Sequence, residues 1–362
     1  MHRQLKILMV VGRFPQITET FIINQITGLL DRGHDVRIFA LNGKGDMQKV
    51  HQEVYDYDLL KRVHYKKYPT KLNLFDVIIC QFGPLSKKFV KLKKLERLPA
   101  KLITCFRGND LSAKIQAHKK HYENFFKHGD LLLPVSDFFK QRLITLGCDA
   151  QKIIVLHSVI DCKKFCFKKR TAPDDGIIRI VSTGRLVEKK GYEYAIRAIA
   201  RVYESHKNIR YTIMGSGPLE QSLKDLIAQL KAKSYITLAG AKTSHEVCAF
   251  LDKSHIFILP SVTAADGNQE GIANALKEAL AMGLPVVSTF HSGTEELVDD
   301  GKSGYLVPER DVEALVTKIG YLIDHPEQWE NMGAHGRLKV EQEFELEKEN
   351  DRLEQILLNL VE

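Results

Sequence analysis

No apolar run in the 362 residues approaches the roughly 20 that a membrane-spanning helix needs, which excludes a helical integral membrane protein. Tryptophan occurs once, and the six cysteines (Cys80, Cys105, Cys148, Cys162, Cys166, Cys248) include no Cys-x2-Cys pair. Cys162 and Cys166 stand four apart with no second pair to match them. A zinc cluster of ordinary spacing and a disulfide-stapled scaffold are therefore set aside, and the thiols read as buried or incidental in a reducing cytosol. Low-complexity tracts and repeats of 20–50 residues are missing, which rules out solenoids. The first apolar segment is followed by Val11-Gly-Arg-Phe-Pro15 and not by Gly-x-Gly-x-x-Gly, against a dinucleotide-dependent dehydrogenase. Near the start, the uninterrupted apolar run is only Ile7 to Val11, with no cleavage site after it; it reads as a buried first strand, not a leader.

What is present is ample for two cores. The length exceeds what one core usually sustains, and 44% hydrophobic with 27% charged residues is ordinary for globular proteins. Charge is divided unevenly. Residues 1–170 hold 32 Lys and Arg against 15 Asp and Glu, a net +17, while residues 171–362 hold 21 against 30, a net −9. That asymmetry predicts an anionic partner for the first half.

Apolar strand-like runs alternate with amphipathic helical stretches, the texture of βα units around parallel sheets. The predicted strands are 6–11, 36–41, 77–81, 101–106, 131–135 and 153–156, then 177–183, 210–215, 236–239, 256–260, 285–289 and 304–307. Helices are predicted over 20–31, 89–96, 191–205, 219–230, 244–254, 271–282 and 311–324, and over a charged tail, 343–362, with Leu353, Ile356, Leu357 and Leu360 on one stripe. The polar, turn-rich stretch Asp161 to Gly176 marks the domain break, giving domains 1–165 and 166–342 and a terminal helix 343–362.

One segment carries the most chemistry: Glu270-Gly-Ile-Ala-Asn-Ala-Leu-Lys-Glu278, ahead of a Gly-Leu-Pro turn and an apolar strand. If a helix opened at the Glu-Gly step, the two carboxylates would lie about 12 Å apart along it, offset by about 80°. The first-turn N–H groups of Gly271, Ile272 and Ala273 would suit a phosphate. A ligand with hydroxyls at both ends and a diphosphate between fits that line, as a nucleotide-sugar does.

This segment resembles the Glu-x7-Glu signature of the family 4 retaining glycosyltransferases, and other motifs follow in the family's order. Ser182-Thr-Gly-Arg-Leu-Val-Glu-Lys-Lys-Gly191 is similar to its Gly-Arg-Leu-x3-Lys-Gly, Met214-Gly-Ser-Gly-Pro218 to its Gly-x-Gly-Pro turn, and Gly293 to Gly304 to its closing segment. Phe14-Pro15, Thr18-Glu-Thr-Phe21 and Gly33-His34-Asp35-Val36 resemble the branch that builds bacterial exopolysaccharides of the colanic-acid type. The resemblance implies an α/β GT-B fold: two Rossmann-like parallel-sheet domains facing a cleft, with the last helix crossing back to the first. It implies a retaining hexosyltransferase, working without metal or cofactor, with a nucleotide-diphosphate-sugar donor and a saccharide acceptor, lipid-linked in that branch. No Asp-x-Asp stands beside these motifs.

By the same resemblance, Arg185 and Lys190 clamp the diphosphate, Glu278 holds the ribose, and Glu270 adjoins the donor sugar. Gly215, Gly217 and Lys242 wall the base pocket, while Lys189 is expected to be solvated. Arg107, in Cys105-Phe-Arg-Gly-Asn-Asp110, stands where relatives carry histidine; arginine cannot act as a base but can donate to phosphate or sugar oxygens. Thr18, Glu19 and Asp110 fall on the acceptor side. Phe89, Leu92 and Leu95, with Lys87, Lys88, Lys91, Lys93, Lys94 and Arg97, read as a basic amphipathic helix for an anionic membrane face, so the predicted location is cytoplasmic and peripheral on the inner plasma membrane. A catalytically inactive GT-B binding protein and a nucleotide-sugar epimerase remain as alternatives.

Overall fold

Strands buried on both faces read as unbroken Val/Ile/Leu runs, and here they assemble into two sheets whose strand pairs are all parallel. The computed structural model describes the chain apart from residues 1–2, 17–18, 48–49, 68, 70 and 113–118. Its contacts divide the chain into two units, 1–159 with 346–362, and 160–345.

In the first unit, β1 (Lys6–Val11), β2 (Asp35–Ala40), β3 (Val63–Tyr65), β4 (Val77–Cys80), β5 (Lys101–Phe106) and β6 (Leu131–Pro134) lie in the order β3-β2-β1-β4-β5-β6. Side-chain alternation splits β1 between two cores: Ile7, Met9 and Val11 enter one, Leu8 and Val10 the other. The second unit holds β7 (Ile178–Thr183), β8 (Ile209–Met214), β9 (Ile236–Leu238), β10 (Ile256–Leu259), β11 (Val286–Thr289) and β12 (Gly304–Val307), ordered β12-β11-β10-β7-β8-β9. Counted from its own first strand, each sheet runs 3-2-1-4-5-6. In such doubly wound sheets ligands bind beyond the carboxyl ends of the strands where the order reverses. Those points are β1/β4 in the first unit and β7/β10 in the second.

Several expectations shift. Residues 153–156 form no strand; Ile153 makes one isolated parallel bridge to Leu132. The Val-His-Tyr of β3 and the helices Lys119–His128, Asp137–Thr145 and Trp329–Glu343 were not foreseen. The chain leaves the first unit at 159/160, ahead of the predicted 165/166, because Ile160, Cys162 and Phe165 bury themselves in the second core. The tail breaks at Phe344, itself fully buried, and its last helix, Leu346–Val361, lies against the helix Thr20–Asp31 with Leu353 and Leu357 in the first unit's core. Among the described residues, no helix is long and apolar enough to cross a membrane.

Candidate active site

At the β7/β10 reversal the loop after β7 meets the loop after β10. Gly191 takes a left-handed φ of +65°, and a Cβ there would stand 1.8 Å from the Pro260 carbonyl oxygen, so only glycine allows the loops to touch. Gly215, in the turn after β8, packs as closely against the Gly184 carbonyl, and Gly217 lies against Leu186. On the loop after β7, Lys190 reaches Glu270. Lys190 is buried, with its Nζ 3.3 Å from Glu270 Oε2. Lys189, expected in solvent, is instead 11% exposed, with its Nζ 3.0 Å from Glu270 Oε1. Both ammonium groups thus turn inward, and Lys189 Nζ also donates to the Gln269 carbonyl.

Burial works to raise the pKa of Glu270, but the charges of Lys190 and Lys189 outweigh it and hold the carboxyl down at about 2. Glu278 behaves oppositely: burial raises its pKa against the pull of Lys277, Lys190 and Lys164. Lys190 is thus the cation common to both carboxylates. Arg185 is exposed on the same loop and makes no ion pair among the described residues. Lys242 follows β9, where its ammonium lies 3.5 Å from Glu246 and over the ring of Phe250.

The helix of the signature begins later than predicted, at Asn274, with Ala273 extended in the N-cap position. Gly271, Ile272 and Ala273 are buried residues of the preceding bend, so the 12 Å helical spacing does not apply to Glu270. Outside a helix, the main chain of Glu270 needs another anchor, and His291 supplies it. His291 follows β11, is 1% exposed, and accepts the Glu270 N–H on Nε2 at 3.1 Å. Its Nδ1 donates to Glu309 Oε1 at 2.5 Å. Glu309, after β12, also accepts the Thr263 N–H at 2.8 Å. Burial lowers the His291 pKa while Glu309 opposes the shift. His291, Glu309 and Lys189 were missed as functional residues; their place just past strand ends was the available signal. Tyr192 is a further one: its buried hydroxyl has no partner among the described residues, and a Cβ on Gly184 would come within 2.9 Å of it.

In the first unit the residues at the β1/β4 reversal form a separate cluster. The Arg107 guanidinium donates to Gln81 Oε1 (3.2 Å from Nε, 2.6 Å from Nη2) and to Gln25 Oε1 at 3.1 Å, and stacks over Phe21. Burial lowers its pKa. Asp110 does not hold that guanidinium. Its carboxylate accepts the N–H groups of Gly83, Arg107 and Gly108, so it fixes the loop's main chain and is not open to an acceptor. Glu19 stands before the helix Thr20–Asp31 without capping it, and burial, opposed by Arg107, raises its pKa to about 7. Thr18 lies outside the described residues.

Known proteins share the sequence and the fold. Residues 164–339 match the model "Glycosyl transferases group 1" and residues 18–164 the model "Glycosyltransferase Family 4". The chain is 36% identical to a protein of Salmonella typhimurium assigned as a colanic acid biosynthesis glycosyltransferase, over 98% of this chain and 99% of the relative. It is 34% identical to the amylovoran biosynthesis glycosyltransferase of Erwinia amylovora, over 94% and 96%. Among solved structures, a Rickettsia africae glycosyltransferase superposes with a TM-score of 0.79 at 20% identity, covering all of both chains. Anabaena HepE in complex with UDP-glucose gives 0.78 at 16%, over 98% of this chain and 100% of that one. With two parallel doubly wound sheets, the ordered motifs and full-length relatives of this kind, the chain belongs to the family 4 glycosyltransferases of GT-B fold.

Proposed function

We propose that the protein moves a hexose-type sugar from a nucleotide-diphosphate-sugar to a saccharide acceptor in exopolysaccharide biosynthesis. In this reading the transfer retains anomeric configuration, needs no metal, and uses a lipid-linked acceptor at an anionic membrane face. The observation that carries it is buried Lys190 at the strand-order reversal, ion-paired to Glu270 and felt electrostatically by Glu278. Support for the donor comes from the Anabaena structure, which holds UDP-glucose, and for the pathway from relatives named for colanic acid and amylovoran synthesis.

Breaking the bond between the anomeric carbon and the diphosphate oxygen gathers negative charge on the leaving group. Fixed cations aimed there stabilise the transition state more than the ground state. Lys190 is the buried point charge for that oxygen, and exposed Arg185 can fork to two more. Glu270, ionised at any physiological pH, holds sugar hydroxyls and favours positive character at the anomeric carbon. Glu278 accepts from the ribose. By the family resemblance Arg107 would donate to phosphate or sugar oxygens and Glu19 would meet the acceptor. Gly215, Gly217 and Lys242 would line the base.

The test is a mass-spectrometric screen of nucleotide-sugars, including UDP-glucose and GDP-mannose, with and without saccharide acceptors. Transfer should appear only with acceptor. Lys190→Ala should lower it by about 10²–10³ with circular dichroism unchanged. Donor epimerised without acceptor, binding without turnover, or a near-wild-type Lys190→Ala would each overturn the proposal.

A further inference from the structure

The carboxylate nearest the proposed chemistry sits on a stretch of chain with no secondary structure to hold it. Glu270 precedes its helix by four residues, and the bend it occupies is tied from outside. Two hydrogen bonds reach it from the loop after β11: His291 Nε2 accepts the Glu270 N–H at 3.1 Å, and the Gly293 N–H donates to the Gly271 carbonyl at 3.1 Å. The first works only if Nε2 is unprotonated, and the 2.5 Å bond from Nδ1 to Glu309 Oε1 enforces that tautomer. Glu309 is itself held by the Thr263 N–H at 2.8 Å and the Thr263 hydroxyl at 3.2 Å, and the Gln269 side chain donates to that hydroxyl at 3.1 Å. Loops following β10, β11 and β12 thus converge on a single main-chain amide.

We infer that His291, fixed by Glu309, is a positioning residue that sets the place of Glu270 through its main-chain N–H. This rests on the role proposed for Glu270 in transfer. A carboxylate displaced by a fraction of an ångström from the anomeric carbon loses much of its effect on turnover while a remote nucleotide binds as before. Protonating His291 turns Nε2 from acceptor to donor, so two donors face each other and the anchor opens. The charged groups facing the ring are Glu309 and Glu270, which favour protonation, and Lys189, which opposes it; burial opposes it most.

Two measurements on the full chain test this. The first needs no substrate: hydrogen exchange of the Glu270 amide, with ¹⁵N-imidazole spectra of His291. His291→Ala should speed that exchange about tenfold, the loss of one ordinary hydrogen bond. His291→Gln, which keeps an acceptor near Nε2, should restore protection, and the wild-type spectrum should show the proton on Nδ1. The second follows nucleoside diphosphate release from UDP-glucose and from GDP-mannose in the presence of the saccharide acceptors. His291→Ala should lower kcat by about 10²-fold with KM for the donor changed by less than about threefold, and His291→Gln should recover most of it. Glu309→Gln should move the acid limb of turnover to lower pH, because the imidazolium loses its counter-charge. Unchanged Glu270 exchange in His291→Ala removes the contact. Faster exchange with wild-type kcat, or an acid limb identical in Glu309→Gln, removes the positioning role. If the wild type releases nucleotide from neither donor, the donor reading is what fails, and the exchange arm alone decides the anchor.

Discussion

At the scale of single residues, the site separates two glutamates of the same type by their surroundings. Glu270 sits between two ammonium groups and stays ionised; Glu278, half-buried with less compensation, has its pKa raised. Beside them the Tyr192 hydroxyl is buried without a partner among the described residues, an arrangement that costs about 1–3 kcal/mol unless a ligand meets it. It stands next to Gly184, on the loop of Arg185 and Lys190 where the proposed diphosphate would lie. Tyr192→Phe should therefore fold at least as stably, with a melting temperature equal to or a few degrees above wild type. It should also bind the nucleotide-sugar up to about tenfold more weakly. Calorimetry of the wild type and Tyr192→Phe settles it: lower stability with unchanged donor binding would make the hydroxyl a structural group.

At the scale of elements, the sequence was most legible where both faces of a strand are buried. Lys6–Val11, Lys101–Phe106 and Gly304–Val307 fall on the residues their apolar runs predict. Val63–Tyr65 was hidden because an edge strand of three half-exposed residues has no such run. The signature helix was placed three residues early, since alanine at 273 carries no stop or start signal. The site motifs could be ordered along the chain, but His291 and Glu309 are 18 residues apart and meet only because β11 and β12 are neighbours.

The helix Lys87–Lys94 is the clearest revision. Phe89 and Val90 are buried in the first unit's core, and Leu95 is 50% exposed beyond the helix end, so no continuous apolar stripe is left to insert into lipid. Lys93 is paired to Asp130 at 2.8 Å, while Lys87, Lys88, Lys91 and Lys94 are exposed. Any docking is then electrostatic, worth about 1 kcal/mol per basic residue at an anionic surface. Liposome co-sedimentation should show binding that requires anionic lipid, weakens as salt is raised, and drops when Lys88, Lys91 and Lys94 all become Glu. Equal binding to neutral vesicles, or none to either, would remove the membrane partner and leave the transferase reading in place.

At the scale of the whole molecule, the two units do not follow the chain's order, because the last helix belongs with the first residues. Its acidic residues answer the basic charge there. Arg32 pairs with Asp351, with Glu347 at 3.2 Å and with Glu354 at 3.8 Å, His34 lies 3.2 Å from Glu354, and Glu349 accepts the His157 N–H at 3.0 Å. Leu353 and Leu357 fill the core beneath, each worth about 1.5–3 kcal/mol when fully buried. The unit 160–345 has its own core, to which this helix contributes nothing. Removing residues 346–362 should thus act on one sheet only. Hydrogen exchange in β1 and β2 and in the helix Thr20–Asp31 should accelerate strongly, while β7, β10 and β11 keep their protection. Nucleotide-sugar binding to the Lys190 site should persist although transfer is lost. A uniform loss of protection across both sheets would mean that they fold as one cooperative block, and no loss anywhere would mean that the helix contributes little to the first unit.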